Sequence, residues 1–115
     1  MSWRTQHVVR RYVSPTPQYC WPLLSQLLGC EVWVKHENHT PIGAFKIRGG
    51  IYYLSEQNRN AAKPSTFIAA TCGNHGQSLA FAAKLFGVRL MLIVPYGNSK
   101  EKNAAMLALG AELVA

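Results

Sequence analysis

Apolar residues recur along the chain at two spacings, and the spacing changes from one short stretch to the next. Four stretches are β-branched or continuously apolar, which predicts strands: residues 31–35, 66–71, 89–95 and, at the end, 111–115. Four others fit helices: residues 20–29, 44–57, 77–87 and 98–110. The third of these helices has one apolar face, formed by Leu79, Ala82, Ala83 and Phe86. A polar, proline-containing loop is predicted at residues 58–65.

Prolines, glycines and polar residues mark the ends of the predicted helices. Pro22 stands early and Gly29 late in the first helix, as is usual for helix starts and stops. Asn98 is followed three residues later by Glu101, which resembles a capping box, and Gly110 closes that helix. The alternation of strands and helices predicts βαβ units with right-handed crossovers. We therefore expect an α/β fold with an open parallel sheet and helices on both faces.

The composition is that of a globular chain of one-domain size, with 115 residues, 49% of them hydrophobic and 15% charged. No apolar run reaches the roughly 20 residues that a membrane span needs, and the basic N-terminus lacks the apolar stretch of a secretory signal. Cys20, Cys30 and Cys72 show no CxxC spacing, so neither a zinc site nor a disulfide framework is expected. The expectation is a cytoplasmic protein without a metal site or a membrane partner.

The net charge of +7 raises the question of a nucleic-acid partner. Arg4, Arg10 and Arg11 cluster near the start, but the other basic residues are scattered, and no basic stripe is interleaved with aromatic residues. Part of the excess arises because the chain has five acidic residues, all of them glutamates. A site for anionic ligands, or an acidic remainder of a longer chain, explains the charge without nucleic acid. We expect no nucleic-acid partner, and a basic nucleic-acid binder stays an alternative.

The stretch "GAFKIRGG" carries the first candidate chemical group. Lys46 stands between Phe45 and Ile47 near the start of a predicted helix. On one interpretation its ammonium group reaches solvent from a polar helix face. On the other, apolar neighbours desolvate the amine, lower its pKa and leave it able to form a Schiff base with an aldehyde. Gly49 and Gly50 each cost a helix about 1 kcal/mol against alanine, which predicts that something packs very close to them.

The stretch "TCGNHGQSLA" carries the second. An apolar strand runs into a glycine-containing turn and then into a helix start, the place where parallel α/β folds bind ligands. Backbone N–H groups and the positive end of a helix favour an anion there. Asn74 could instead do no more than cap the helix, and His75 could be structural. By itself this stretch predicts a site for a small anionic ligand.

Taken together, the two stretches resemble the fold type II pyridoxal-phosphate enzymes, in the branch of threonine and serine dehydratases and serine racemase. The first motif of that branch, K-x-E…P-x-G-x-F-K-x-R-G, is matched by Lys35, Glu37, Pro41, Gly43, Phe45, Lys46, Arg48 and Gly49. The second, G-N-H-G/A-Q, is matched by Gly73, Asn74, His75, Gly76 and Gln77. The similarity begins near Pro17 and continues to the end of the chain.

The resemblance implies a role for each of these residues. Lys46 would bind pyridoxal 5'-phosphate as a Schiff base and then remove the Cα proton of a small hydroxy amino acid as general base. Phe45 would pack near the cofactor ring, and Asn74 would hydrogen-bond its 3'-oxygen. The implied reaction converts L-threonine or L-serine to a 2-oxo acid and ammonia. The residues expected to receive the substrate carboxylate are Thr71, Cys72, Gly73, Asn74 and His75.

Two positions favour this branch over related enzymes. Cysteine and threonine synthases of the fold resemble one another in having lysine followed by Asp-Arg and a turn that reads G-N-T, whereas this chain has Ile47 after Lys46 and reads G-N-H. Cys72 stands where relatives often have serine or alanine, and serine racemase keeps an acid–base serine nearby. This substitution favours elimination over racemisation, and a serine racemase-like activity stays an alternative.

The resemblance also predicts what these residues lack. The glycine-rich loop that holds the cofactor phosphate and the residue that faces the pyridine nitrogen come later in the family's chains. We therefore expect an incomplete N-terminal part of the catalytic unit, inactive alone and homo-oligomeric when full length. The expected division is an extension at residues 1–16, the start of the larger domain at 17–65 and of the smaller domain at 66–115. A non-catalytic fragment or pseudoenzyme that binds a partner chain through an unfinished sheet edge is the other alternative.

Overall fold

The structure, a computed structural model, describes residues 3–60 and 64–115. Its helices are α1 (Trp3–Arg10), α2 (Pro22–Leu28), α3 (Lys46–Arg59), α4 (Asn74–Phe86) and α5 (Lys100–Ala108). Its strands are β1 (Gln18–Cys20), β2 (Trp33–Lys35), β3 (Thr66–Ala70), β4 (Arg89–Ile93) and β5 (Glu112–Val114), and a short 3₁₀ helix covers Glu37–His39. Residues 61–63 of the predicted loop lie outside the described residues. None of the described helices is long and apolar enough to cross a membrane.

The second half of the chain forms the predicted parallel sheet. Its strand order is β3-β4-β5, with Thr66 opposite Arg89 and Met91 opposite Glu112. Helices α4 and α5, which connect these parallel strands, contact each other and therefore lie on the same face of the sheet. That face carries Leu90 and Leu92, both buried, whereas Ile68 on the opposite face is 63% exposed. The α/β class and the parallel sheet are confirmed, and the described helices between the strands cover one face.

The strand predicted at residues 31–35 does not belong to this sheet. It is shorter, β2, and pairs antiparallel with β1, with Tyr19 opposite Val34. Sequence analysis missed β1 because three residues with two exposed side chains carry no apolar alternation. The backbone N–H of Trp21 donates to the carbonyl of Val32 at 3.0 Å, which closes the pair around α2. The expectation that all strands join one parallel sheet is therefore wrong for β2.

Helix boundaries differ from the predicted ones by a few residues. Helix α3 begins at Lys46, two residues after the predicted start, and α4 already begins at Asn74. The predicted cap of α5 is wrong by one residue: Ser99, not Asn98, is the N-cap, and its Oγ accepts a hydrogen bond from the backbone N–H of Lys102. The Asn98 amide instead donates to Asn103 Oδ1 at 2.6 Å.

Helices α3 and α4 pack against each other, and one glycine explains how closely. A Cβ on Gly50 would overlap the Ser78 Oγ and approach the Ser78 carbonyl oxygen to 2.9 Å. The close contact predicted from the paired glycines is thus confirmed at Gly50, but no atom lies within 4 Å of a Cβ on Gly49. Ile47 and Ile51 of α3 share one buried core with Leu79 and other residues of α4. The predicted domain division between residues 65 and 66, which separates the two helices, stays a prediction.

Candidate functional site

Lys46 is the first residue of α3, and its side chain is exposed. Its Nζ lies 5.1 Å from the centroid of the Phe45 ring, which is itself 60% exposed. Ile47, next along the helix, is 0% exposed, because successive residues of a helix point in different directions. In the described residues Lys46 and Phe45 are both exposed, so Phe45 and Ile47 do not bury the amine, and its desolvation stays a prediction.

The Lys46 side chain lines a cavity of about 410 Å³. One face of α3 supplies Lys46, Gly49, Gly50 and Tyr53, which stand at helical spacings of three and four residues. The rest of the lining comes from β3 and α4: Phe67, Ile68, Ala69, His75 and Leu79. The volume falls in the roughly 300–1,000 Å³ range of small-molecule pockets. The Lys46 amine, at the start of α3, and the His75 imidazole, at the start of α4, thus belong to residues that line one mainly apolar cavity.

The turn from Thr71 to Gly76 is shaped by one buried hydroxyl. Thr71 is 8% exposed, and its Oγ1 accepts hydrogen bonds from the backbone N–H groups of Gly73, at 3.2 Å, and Gly76, at 2.9 Å. Within the described part of the chain, the N–H groups of Asn74 and His75 between them donate to no acceptor. Two free donors at the start of a 13-residue helix are a suitable place for an anion.

Asn74 has no structural role that the described contacts reveal. Gly73, not Asn74, is the N-cap of α4, and the Thr71 hydroxyl, not the Asn74 side chain, accepts the hydrogen bond from the Gly76 N–H in the first turn. The Asn74 side chain is exposed. The alternative that Asn74 only caps the helix is therefore wrong, which leaves its amide free to bind a ligand.

One contact that joins the two motifs was missed by sequence analysis. The Ser78 hydroxyl, on the second turn of α4, donates a hydrogen bond of 2.6 Å to the backbone carbonyl of Lys46. Ser78 is 0% exposed. Serine inside an apolar helix face carries no sequence signal for such a bond; the neighbouring Gly50, which marks a close contact, is the one available hint.

The segment before Lys46 is held by a partly buried ion pair between Glu37 and Arg48. Arg48 donates to both carboxylate oxygens of Glu37, from Nε at 2.8 Å and from Nη2 at 3.0 Å. These bonds, with a further one from the Thr16 hydroxyl, lower the pKa of Glu37 to about 2 although burial raises it. Thr40 closes the turn between them, accepting from the N–H of Ala44 and donating to its carbonyl, both at 2.9 Å. The segment from Glu37 to Arg48, which contains Lys46, is thus closed by the ion pair at its ends and by the Thr40 hydrogen bonds inside it.

The structure brings some of the predicted site residues together and leaves others apart. Lys46 and His75 line the same cavity. Thr71 and Gly73 are joined by a hydrogen bond in the turn. Phe45, Cys72 and Asn74 are exposed and do not line the cavity. The chemical roles assigned to these residues stay predictions.

The residues present fit the part of pyridoxal phosphate that they would contact. Its aldehyde requires an amine with access to an open space, which Lys46 has at the cavity. Gly49 leaves that space clear, since nothing lies within 4 Å of where its Cβ would stand. The free N–H groups of Asn74 and His75 suit an anionic group, and His75 lines the same cavity as Lys46.

Comparison with known proteins agrees with the two motifs. The family model described as "Pyridoxal-phosphate dependent enzyme" matches residues 9–115. Cysteine synthase B of Salmonella typhimurium is 43% identical over 88 residues, covering 75% of this chain and 29% of that protein. The biosynthetic L-threonine dehydratase of Corynebacterium glutamicum is 35% identical over 106 residues, covering 89% and 23%.

Solved structures give the same result at the level of the fold. A pyridoxal 5'-phosphate-dependent aspartate racemase superposes with a TM-score of 0.90 and 28% identity, over 96% of this chain and 35% of that one. Serine racemase from Dictyostelium discoideum gives a TM-score of 0.82 and 28% identity, over 96% and 36%. The chain therefore spans about a third or less of the length of these four proteins. By its sequence, its fold and its paired motifs, the chain belongs to the family of pyridoxal-phosphate dependent enzymes.

Proposed function

We propose that this chain supplies Lys46 and the turn from Thr71 to Gly76, here called the asparagine turn, of an enzyme that dehydrates and deaminates L-threonine or L-serine to a 2-oxo acid and ammonia. The observation that carries the proposal is the shared cavity of Lys46 and His75, one from each motif. The catalytic unit includes more than these residues, because the glycine-rich phosphate loop of the resemblance has no counterpart in the sequence. The 115-residue chain alone is expected to be inactive or nearly so.

Lys46 has two tasks in this proposal. Its Nζ would hold the cofactor, whose aldehyde needs an amine, and would act on the substrate as the general base for the Cα proton. When bound, pyridoxal phosphate supplies an electron sink for the charge that develops at Cα. Lys46 is the first residue of α3, and its side chain is exposed rather than packed. This leaves Nζ free to move between the cofactor and the substrate Cα.

The asparagine turn orients the substrate. The free N–H groups of Asn74 and His75, at the positive end of α4, receive its carboxylate. The Asn74 amide, which is exposed, would hold the cofactor by a hydrogen bond to its 3'-oxygen. Thr71 shapes the turn, since its hydroxyl oxygen accepts two backbone hydrogen bonds, and its O–H can still donate to the substrate carboxylate.

Formation of cysteine is the second candidate reaction. It is favoured by the 43% identity to cysteine synthase B, which exceeds the 35% identity to the threonine dehydratase. Against it stand Ile47 after the lysine and His75 in the turn. Racemisation is favoured by the TM-score of 0.90 to an aspartate racemase, and Cys72 stands against it. Assay of one purified enzyme for 2-oxo acid, for cysteine and for the D-amino acid separates the three.

Borohydride reduction in the presence of pyridoxal phosphate tests the proposal. Peptide mapping should locate the pyridoxyl group on Lys46, and the Lys46→Arg variant should lose it while the remaining lysines label at their background rate. A label confined to a different lysine would contradict the proposal. So would rapid turnover of threonine by the 115-residue chain, because it would show that no further segment is needed.

A further inference from the structure

We propose that Ser78 is a positioning residue for Lys46, setting its place relative to the asparagine turn; the inference rests on the proposed function. The Ser78 Oγ donates a 2.6 Å hydrogen bond to the carbonyl of the residue that carries the reactive amine. The bond crosses from α4 to α3 and links residues 32 positions apart in the sequence. No other described hydrogen bond joins these two helices.

Ser78 could also donate to a carbonyl within its own helix. A serine inside a helix commonly bonds the carbonyl three or four residues before it in the same helix. Ser78 instead donates to Lys46 in the neighbouring helix, and it does so where it is 0% exposed. A buried hydroxyl that donates to a neighbouring helix, and not to its own, restrains the position of the two helices relative to each other.

Ser78 and Asn74 stand four residues apart in α4, and residues at this spacing lie on one face of a helix. The bond therefore attaches the start of α3, at Lys46, to α4 at a point one helical turn after Asn74. Lys46 and Asn74 must meet the same cofactor from two helices, so their relative position decides whether both contacts form at once. Misplacement of a reacting group by about 1 Å can lower a reaction rate about a hundredfold.

Gly50 makes the bond possible. It lies one turn after Lys46 on the same face of α3, and a Cβ there would occupy the place of the Ser78 Oγ. The pairing of glycine on α3 with serine on α4 brings the two backbones close enough for the hydroxyl to reach the Lys46 carbonyl. Larger residues at either position would separate the helices and move Lys46 away from the turn.

The test compares Ser78→Ala with Ser25→Ala. Ser25 is the matched control because its Oγ accepts a 2.9 Å hydrogen bond from the Val32 N–H in another partly buried place. Two quantities are measured under conditions in which each variant is fully folded. The first is the rate at which pyridoxal phosphate and borohydride label Lys46. The second, which needs no cofactor, is amide hydrogen exchange at residues 47–50.

Ser78→Ala should slow labelling of Lys46 by about fivefold, the factor that one net hydrogen bond is worth, and speed exchange at residues 47–50 by a similar factor. Ser78→Cys, which keeps a weak donor, should fall between wild type and alanine. Ser25→Ala should leave both quantities unchanged.

Equal effects of Ser78→Ala and Ser25→Ala would overturn the positioning role, as would wild-type labelling and exchange in Ser78→Ala. If wild type labels a lysine other than Lys46, the proposed function fails. Exchange at residues 47–50 then still decides whether Ser78 holds the start of α3.

Discussion

The carboxylate of Glu37 accepts two hydrogen bonds from the guanidinium of Arg48, at 2.8 and 3.0 Å. Glu37 opens the 3₁₀ helix and Arg48 is the third residue of α3, so the pair closes the segment that ends in Phe45 and Lys46. Both side chains are less than one fifth exposed, at 18% and 19%. Geometry of this bidentate kind is stronger than that of an ordinary surface ion pair.

The first prediction concerns acid stability. Hydrogen bonds from Arg48 and Thr16 and the charges of Arg48 and Lys35 lower the pKa of Glu37 from its ordinary 4.5 to about 2 in the folded protein. A lowered pKa stabilises the fold above pH 4.5, and this contribution disappears as the pH falls towards about 2. Because the pair is only partly buried and solvent screens it, the free energy of unfolding should decrease by about 1–2 kcal/mol over this range. Urea unfolding at several pH values measures it.

Glu37→Gln provides the control for this pH effect. The variant should be less stable than wild type at neutral pH, because Arg48 loses its charged acceptor. Its stability should depend less on pH between 5 and 2, with the missing part equal to the contribution assigned to Glu37. An unchanged pH dependence in the variant would assign the effect to other carboxylates.

The second prediction uses the adjacent glycines of α3 as a matched pair. Gly50→Ala places a Cβ against Ser78 Oγ and 2.9 Å from its carbonyl oxygen, so it should destabilise the fold by about 2 kcal/mol or more. Gly49→Ala meets no atom within 4 Å and should stabilise it by about 0.5–1 kcal/mol, the helix propensity gain. Thermal and urea unfolding of both variants measure the difference; a loss of stability in both would contradict the assigned contact.

Sequence patterns were sufficient for elements with a strong period or a clear end signal. The continuous apolar stretch of β4 and the Pro22 and Gly29 signals of α2 gave elements close to those observed. Strand β1 was not predicted, since it consists of three residues and is formed by pairing with β2 rather than by local preference. The position of β2 outside the parallel sheet is likewise a long-range property.

The candidate site was predictable to the extent that motifs are local. Lys46 and the turn from Thr71 to His75 could be found by comparison with a family pattern, but their geometry could not. The exposure of Lys46 depends on which side of α3 faces α4, and the bond from Ser78 joins positions 32 residues apart. Such contacts arise from helix packing, which a single sequence does not encode in any short pattern.

The third prediction tests the corrected cap of α5. Ser99→Ala removes the oxygen that accepts from the Lys102 N–H and should cost about 1 kcal/mol of unfolding free energy. Ser99→Thr keeps a hydroxyl at the cap and should cost less than half of that. Urea unfolding at neutral pH measures both variants. Equal losses in the two would show that the hydroxyl is not the group that matters at this position.

The fourth prediction separates a ligand role for Asn74 from a structural one. Asn74 is exposed and makes no capping hydrogen bond, so Asn74→Ala should change the unfolding free energy by less than about 0.5 kcal/mol. The same variant should weaken binding of pyridoxal phosphate to the complete enzyme by about fivefold, because the cofactor loses one hydrogen bond. Equilibrium titration of the cofactor absorbance measures the affinity.

Thr71→Val is the comparison for Asn74→Ala. It removes the buried acceptor for the N–H groups of Gly73 and Gly76 while keeping the volume of the side chain, so it should destabilise the fold by about 1–3 kcal/mol. Asn74→Ala should therefore lose cofactor affinity without losing stability, whereas Thr71→Val should lose stability. If Asn74→Ala were as unstable as Thr71→Val, or bound the cofactor as tightly as wild type, the ligand role of Asn74 would be wrong.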